Sequence, residues 1–183
     1  MESVEGKLLV AAPHLLDPNF YRAVVLVVRH DEEGAYGLIL NRPTNQHIGP
    51  LMEMLLETPC DFPGCILCGG PVEGPLVVLH NQACDADICC GHDLYLSSCQ
   101  ERVKELVHRS DVRLLMFDGY AGWGPNQLDE ELRRGGWLVA DLDPQELFDS
   151  TDLIWENCIQ RIGRDILACQ IHEDRIPRDP SMN

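Results

Sequence analysis

The sequence predicts an α+β fold with a largely antiparallel β-sheet, curled toward a partial barrel and flanked by helices. Three observations lead there. Short apolar segments of strand length come in hairpin-like pairs, amphipathic helical segments fall between them without regular alternation, and no internal repeat or linker divides the chain. With 183 residues, 45% of them hydrophobic, there is material for one sizeable core. A single domain is expected over residues 1–172, followed by a polar, proline-containing tail at 173–183 expected to be disordered.

Residues 6–12 read as a first strand, stopped by Pro13, and Asp17-Pro18-Asn19 as a turn. Residues 22–30 are β-branched and nearly all apolar, the pattern of a strand buried on both faces. They pair with 35–41 as a hairpin, across a loop of about four residues. A short helix is expected at 51–56, strands at 65–68 and 75–80, and weaker strands at 88–90 and 94–96. Cys99, Val103, Leu106 and Val107 share one helical face, with Ser97 or Ser98 as N-cap. Strands at 112–117 and 137–140 bracket a helix at 125–134 that opens near Pro125 and stops at Gly135-Gly136. Asp143-Pro144 opens a helical turn, and Thr151 or Asp152 caps a last helix on which Ile154, Cys158, Ile162 and Trp155, Ile159, Ile166 share a face.

Charge narrows the function classes. Fourteen Lys and Arg stand against 30 Asp and Glu, a formal net charge of -16, and Arg133-Arg134 is the only basic pair. Nucleic-acid binding runs on clustered cations that displace counterions, so direct binding is disfavoured. No apolar run approaches the roughly 18 residues of a membrane span, and Met1-Glu2-Ser3-Val4-Glu5 lacks a secretory start, so a cytoplasmic location is expected. Nine cysteines without a signal read as thiols in a reducing compartment.

Motifs for nucleotide phosphates, serine hydrolases and zinc proteases are absent. Cys65-Ile66-Leu67-Cys68 suggests zinc, with Cys60, His80, Cys84, Cys89, Cys90 or His92 completing four ligands. On a strand, however, residues three apart point to opposite faces, so no metal and no cofactor is expected. His80 ends an apolar run and reads as a hydrogen-bonded structural histidine or a general base. His14, His30, His47 and His108 read as surface residues. Arg42 offers paired donors for a carboxylate or phosphate, or a salt bridge to one of the many acids. The least ordinary stretch is the Gly119–Gly124 loop, with three glycines in six residues. It reads as a strand-to-helix turn with Tyr120 and Trp123 packed as anchors, or as the wall of a partner or small-molecule pocket. Anion binding at the following helix is opposed by Asp129, Glu130 and Glu131 in its first turns.

The string Gly119-Tyr120-Ala121-Gly122-Trp123-Gly124, followed by Gln127-Leu128 and Glu130 or Glu131, resembles the YqgE/AlgH family. Other shared strings are Gly6-Lys7-Leu8-Leu9, Asp17-Pro18-Asn19-Phe20, Gly37-Leu38-Ile39-Leu40-Asn41-Arg42-Pro43, Gly69-Gly70-Pro71-Val72, Leu79-His80 and Trp137-Leu138-Val139. The resemblance runs over about residues 6–163. It implies a compact α+β fold with a bifurcated, partly barrel-like sheet and a bacterial cytoplasmic protein. The family has no established enzymatic activity and no agreed catalytic residues; its regulatory name comes from an association with alginate gene expression. The cysteines at 60, 65, 68, 84, 89 and 90 depart from the family pattern. Two functional readings follow: a non-enzymatic regulatory or interaction protein contacting a protein partner or small ligand, or an enzyme or ligand binder whose pocket joins Arg42, His80, Tyr120 and Trp123.

Overall fold

A computed structural model describes residues 3–57, 60, 62–83, 86–149 and 153–170. In chain order its elements are β1 (Leu8–Ala11), β2 (Val24–Asp31), β3 (Gly34–Ile39), β4 (Pro43–His47), α1 (Ile48–Leu56), β5 (Cys65–Cys68), β6 (Val77–His80), β7 (Ile88–Gly91), β8 (Leu94–Ser97), α2 (Gln100–Val107), β9 (Leu114–Asp118), β10 (Ala121–Trp123), α3 (Gln127–Arg133), β11 (Trp137–Ala140), α4 (Pro144–Asp149) and α5 (Ile154–Gln170). The caps expected at Thr151 or Asp152 and the tail from 173 onward lie outside the described residues.

The strands form two sheets packed face to face without closing into a barrel. The first has the order β10-β3-β2-β1-β11 and the second β4-β5-β9-β6-β8-β7. All pairs are antiparallel except β5 with β9. Alternation divides the apolar residues among three cores. Leu8, Val10, Val24, Leu26 and Leu38 meet Leu67, Val77, Leu79 and Phe117 between the sheets, joined there by Leu147 of α4 and Trp155 and Cys158 of α5. On the outer face of the first sheet, Leu9, Val25, Val27, Trp123 and Trp137 pack with Leu128 of α3. On the outer face of the second, Ile66, Val78 and Met116 pack with Met52 of α1 and Val103, Leu106 and Val107 of α2. Both faces of β2 are therefore covered, as its continuous apolar run requires.

Several local expectations are corrected. Pairing of β2 with β3 continues to Asp31 and Gly34, so only Glu32 and Glu33 form the hairpin loop. β4 was not expected; its Thr-Asn-Gln sequence has no apolar alternation, and its proline sits at the first residue of an edge strand, where no ladder donor is needed. Neither Ser97 nor Ser98 caps α2, whose N-cap is Cys99. The Ser98 hydroxyl donates to Asp87 at 2.7 Å, and the Ser97 hydroxyl meets His80, so each is committed elsewhere. His30 is not a surface residue: its side chain is 7% exposed, and its Nδ1 accepts from the Val4 N–H at 3.2 Å.

The glycine–aromatic segment is not a plain strand-to-helix turn, because Ala121–Trp123 form β10 against Gly37, Tyr36 and Ala35 of β3. The chain leaves β9 in one sheet, turns at Gly119 (φ 72°) and enters β10 in the other. Beyond Gly37 the partner of β3 changes, and the Ile39 N–H donates to the Gly69 carbonyl at 2.8 Å. Gly69 in turn donates to Asp118, and Val72 and Tyr120 exchange both backbone bonds at 3.0 and 2.9 Å. This is the point where the sheet bifurcates. A Cβ on Gly69 would overlap the Gly119 carbonyl oxygen, and one on Gly119 would come within 2.7 Å of the Val72 oxygen. The two glycine strings of the sequence thus meet as one corner.

Candidate functional site

Arg42 is held by backbone carbonyls. Its guanidinium donates to the carbonyls of Tyr21 and, at 3.2 Å, of Asn41. Its neighbour Asn41 donates to the Arg22 carbonyl at 2.8 Å and accepts from the Val24 N–H at 3.0 Å. Together they clamp the segment that leads from the Asp17 turn into β2. Arg22 adopts a φ of 54°, a conformation costing about 1–3 kcal/mol in a bulky residue, and the clamp offsets that strain. The salt bridge expected for Arg42 is absent among the described residues.

His80 is fully buried on β6, with Ser97 of β8 only 1% exposed beside it. The Ser97 Oγ lies 2.9 Å from Nε2, and the Gln82 N–H donates to Nδ1 at 3.3 Å. A backbone N–H can only donate, so Nδ1 must be the bare nitrogen and Nε2 carries the proton. Nε2–H then donates to Ser97, the reverse of what removing a proton from the serine requires. Burial, and next the positive charge of Arg102, hold the imidazole below its usual range and keep it neutral. The pair is a satisfied polar bridge in the core, as the structural reading of His80 expects.

Trp123 and Trp137 are 5% and 3% exposed and form, with Phe20, a cluster of three rings. Phe20 stacks on Trp123 at 5.9 Å and meets Trp137 edge-on at 5.3 Å, while the two indoles meet edge-on at 6.0 Å. Both indole N–H groups donate to one oxygen, Glu131 Oε2, at 2.9 and 2.8 Å. Gln127 donates to Glu131 Oε1 at 3.0 Å and accepts from the Gly124 N–H at 3.1 Å. One turn of α3 thus carries the glutamine and glutamate that anchor β10 and β11 from outside the sheet. Tyr120 turns the other way and packs on Tyr36 at 5.0 Å, against the core between the sheets.

Beside this cluster opens a pocket of about 340 Å³, lined by His14, Leu15, Asp17, Phe20, Gln127, Glu131, Arg134, Gly136 and Trp137. The four residues singled out from sequence do not converge on it. Trp123 supports it from behind, and Arg42 acts on it only through the clamped 17–22 segment. Tyr120 faces the opposite core. His80 pairs with Leu114, about 13 Å along β9 from Asp118, given a rise of about 3.3 Å per residue. The residues that matter and were not singled out are Phe20, Glu131 and Trp137. The motif strings contain all of them; what linear order hides is that the start of the chain, α3 and β11 come together. Among the described residues no His, Cys, Asp or Glu group could hold a metal ion. Cys65 instead meets His47 across the β4–β5 ladder at 3.5 Å.

The DUF179 (AlgH-like) family model matches residues 8–167. The UPF0301 protein SCO2948 of Streptomyces coelicolor is 35% identical over 192 residues, covering 100% of this chain and 97% of its own. The UPF0301 protein SPO0296 of Ruegeria pomeroyi is 36% identical over 172 residues, covering 88% and 93%. Among solved structures, AlgH from Pseudomonas aeruginosa superimposes with a TM-score of 0.70 at 27% identity, covering 97% of this chain and 95% of that one. Protein DIP2367 from Corynebacterium diphtheriae gives 0.69 at 26% identity, with 88% of each chain covered. The matched span contains the glycine corner, the Asn41-Arg42 clamp and the aromatic–Glu131 cluster, and the chain belongs to the YqgE/AlgH family of UPF0301 proteins.

Proposed function

We propose that this chain is a non-enzymatic interaction protein of the cytoplasm, acting in regulation by holding a partner or small ligand in the pocket between the 14–20 segment, α3 and β11. The observation that carries this reading is the commitment of Arg42, His80 and Trp123 to the fold. Arg42 is spent on carbonyls, His80 presents its proton to a buried serine, and Trp123 is tied to Glu131. Beside the Trp123 cluster lies a concave, aromatic-lined surface open to solvent, the ordinary form of a binding site. A formal charge of -16 argues against a nucleic-acid partner. No helix of the described residues is long and apolar enough to cross a membrane.

Fragment screening by ¹H–¹⁵N NMR tests the reading. Hits should move the Trp137 indole resonance and the backbone amides of residues 14–20. Turnover of any substrate that is abolished in both Ser97→Ala and His80→Gln would overturn it, as would tight, salt-sensitive binding to duplex DNA.

A further inference from the structure

The chemistry of the pocket walls selects an occupant, given the reading of that pocket as the binding surface. Leu15, Phe20 and Trp137 supply apolar and aromatic surface, and Asp17 and Glu131 add carboxylates beside it. The one arginine of the lining, Arg134, is already matched by Glu130 at 3.0 Å. The carboxylates have acceptor capacity left. Among the described residues, Glu131 Oε2 receives two indole donors, but Oε1 receives only Gln127. Asp17 uses Oδ1 to close its own turn, accepting from the Asn19 N–H at 2.8 Å.

An anionic ligand would be pushed away by both carboxylates. A neutral apolar ligand would cover them without offering a donor, at a desolvation cost. An organic cation on an apolar stem meets every demand: its stem packs on Phe20 and Leu15, its charge lies near the aromatic rings, and its N–H groups reach Oε1 of Glu131 and the free oxygen of Asp17. At about 340 Å³ the pocket lies at the lower end of the ligand-site range and has room for one long side chain. The surrounding negative field raises the local concentration of cations. We infer that the pocket takes the cationic side chain of an arginine or lysine presented by a partner protein.

The test uses the full chain and four probes followed by ¹H–¹⁵N NMR: capped arginine, capped norleucine, capped glutamate and the free guanidine-amine agmatine. Capped arginine should shift the Trp137 indole resonance saturably. Asp17→Asn, which keeps an acceptor for the Asn19 turn, should weaken it by about tenfold, the loss of one charge-assisted hydrogen bond. Equal or tighter binding of norleucine or glutamate overturns the cation while leaving the pocket as a binding surface. Binding of agmatine without capped arginine overturns the partner side chain as the source. Absence of any shift at residues 14–20 and Trp137 with all four probes overturns the inference and the pocket reading together.

Discussion

Removing the Glu131 carboxylate probes the join between fold and pocket. In Glu131→Ala, two indole N–H groups on nearly buried rings lose the acceptor they share. An unsatisfied buried donor costs about 1–3 kcal/mol. Because Glu131 and Trp137 both line the open pocket, water can reach one of the two after truncation, so the loss should be about 2–4 kcal/mol rather than the full sum. Glu131→Gln keeps one oxygen able to accept both indoles, but sets an amide nitrogen against the Gln127 donor and removes the charge. It should cost about 1–2 kcal/mol. Urea unfolding followed by tryptophan fluorescence measures both, and the indole proton shifts report the bonds directly. An alanine variant losing less than about 1 kcal/mol, with both indole resonances in place, would refute the shared-acceptor account.

Glycine substitutions should divide sharply by location. Gly69→Ala should cost more than about 4 kcal/mol in thermal unfolding, because its Cβ meets rigid backbone at the corner. Gly163→Ala, within α5 and with open space around it, should stabilise by about 1 kcal/mol. The lowered His80 pKa makes stability pH-dependent: between its folded value and the unfolded value of about 6.5, the unfolded chain binds a proton that the native fold does not. Stability is therefore full above that pH and falls on acidification, by at most about 1.4 kcal/mol per pH unit, a slope that His80→Gln should flatten. Burial pushes the Cys90 thiol up to about 12 and also raises Cys158, whereas Cys89 and Cys99 are exposed. Iodoacetamide at mild alkaline pH should label Cys89 and Cys99 in the native protein, and Cys90 and Cys158 only on unfolding, as peptide mass spectrometry would record.

Sequence pattern was informative where burial and periodicity coincide. The uninterrupted apolar run at 23–28 announced a strand covered on both sides, and α2 followed from the spacing of Val103, Leu106 and Val107. It failed where long-range pairing decides. β10 is only Ala121-Gly122-Trp123, a tryptophan flanked by glycines with no strand periodicity; it exists because β3 offers an edge and Gly119 allows the chain to change sheet. The same holds for the pocket. Glu131 on α3 looks like one more exposed helix acid, and only the convergence of Trp123 and Trp137 from two edges of one sheet makes it an anchor. For His80 the sequence leaves a structural histidine and a general base both open; the bonds to Ser97 and Gln82 match the first, and the tautomer depends on Gln82 turning its N–H back on the ring.

That tautomer tests most directly the claim that the signature residues serve the fold and leave binding, not catalysis, to the open pocket. The ¹⁵N shifts of the His80 imidazole should show Nε2 protonated and Nδ1 bare, with titration displaced below the ordinary histidine range. A proton on Nδ1, with Nε2 bare toward Ser97 and titration at or above the ordinary range, would give the serine a base and contradict the account.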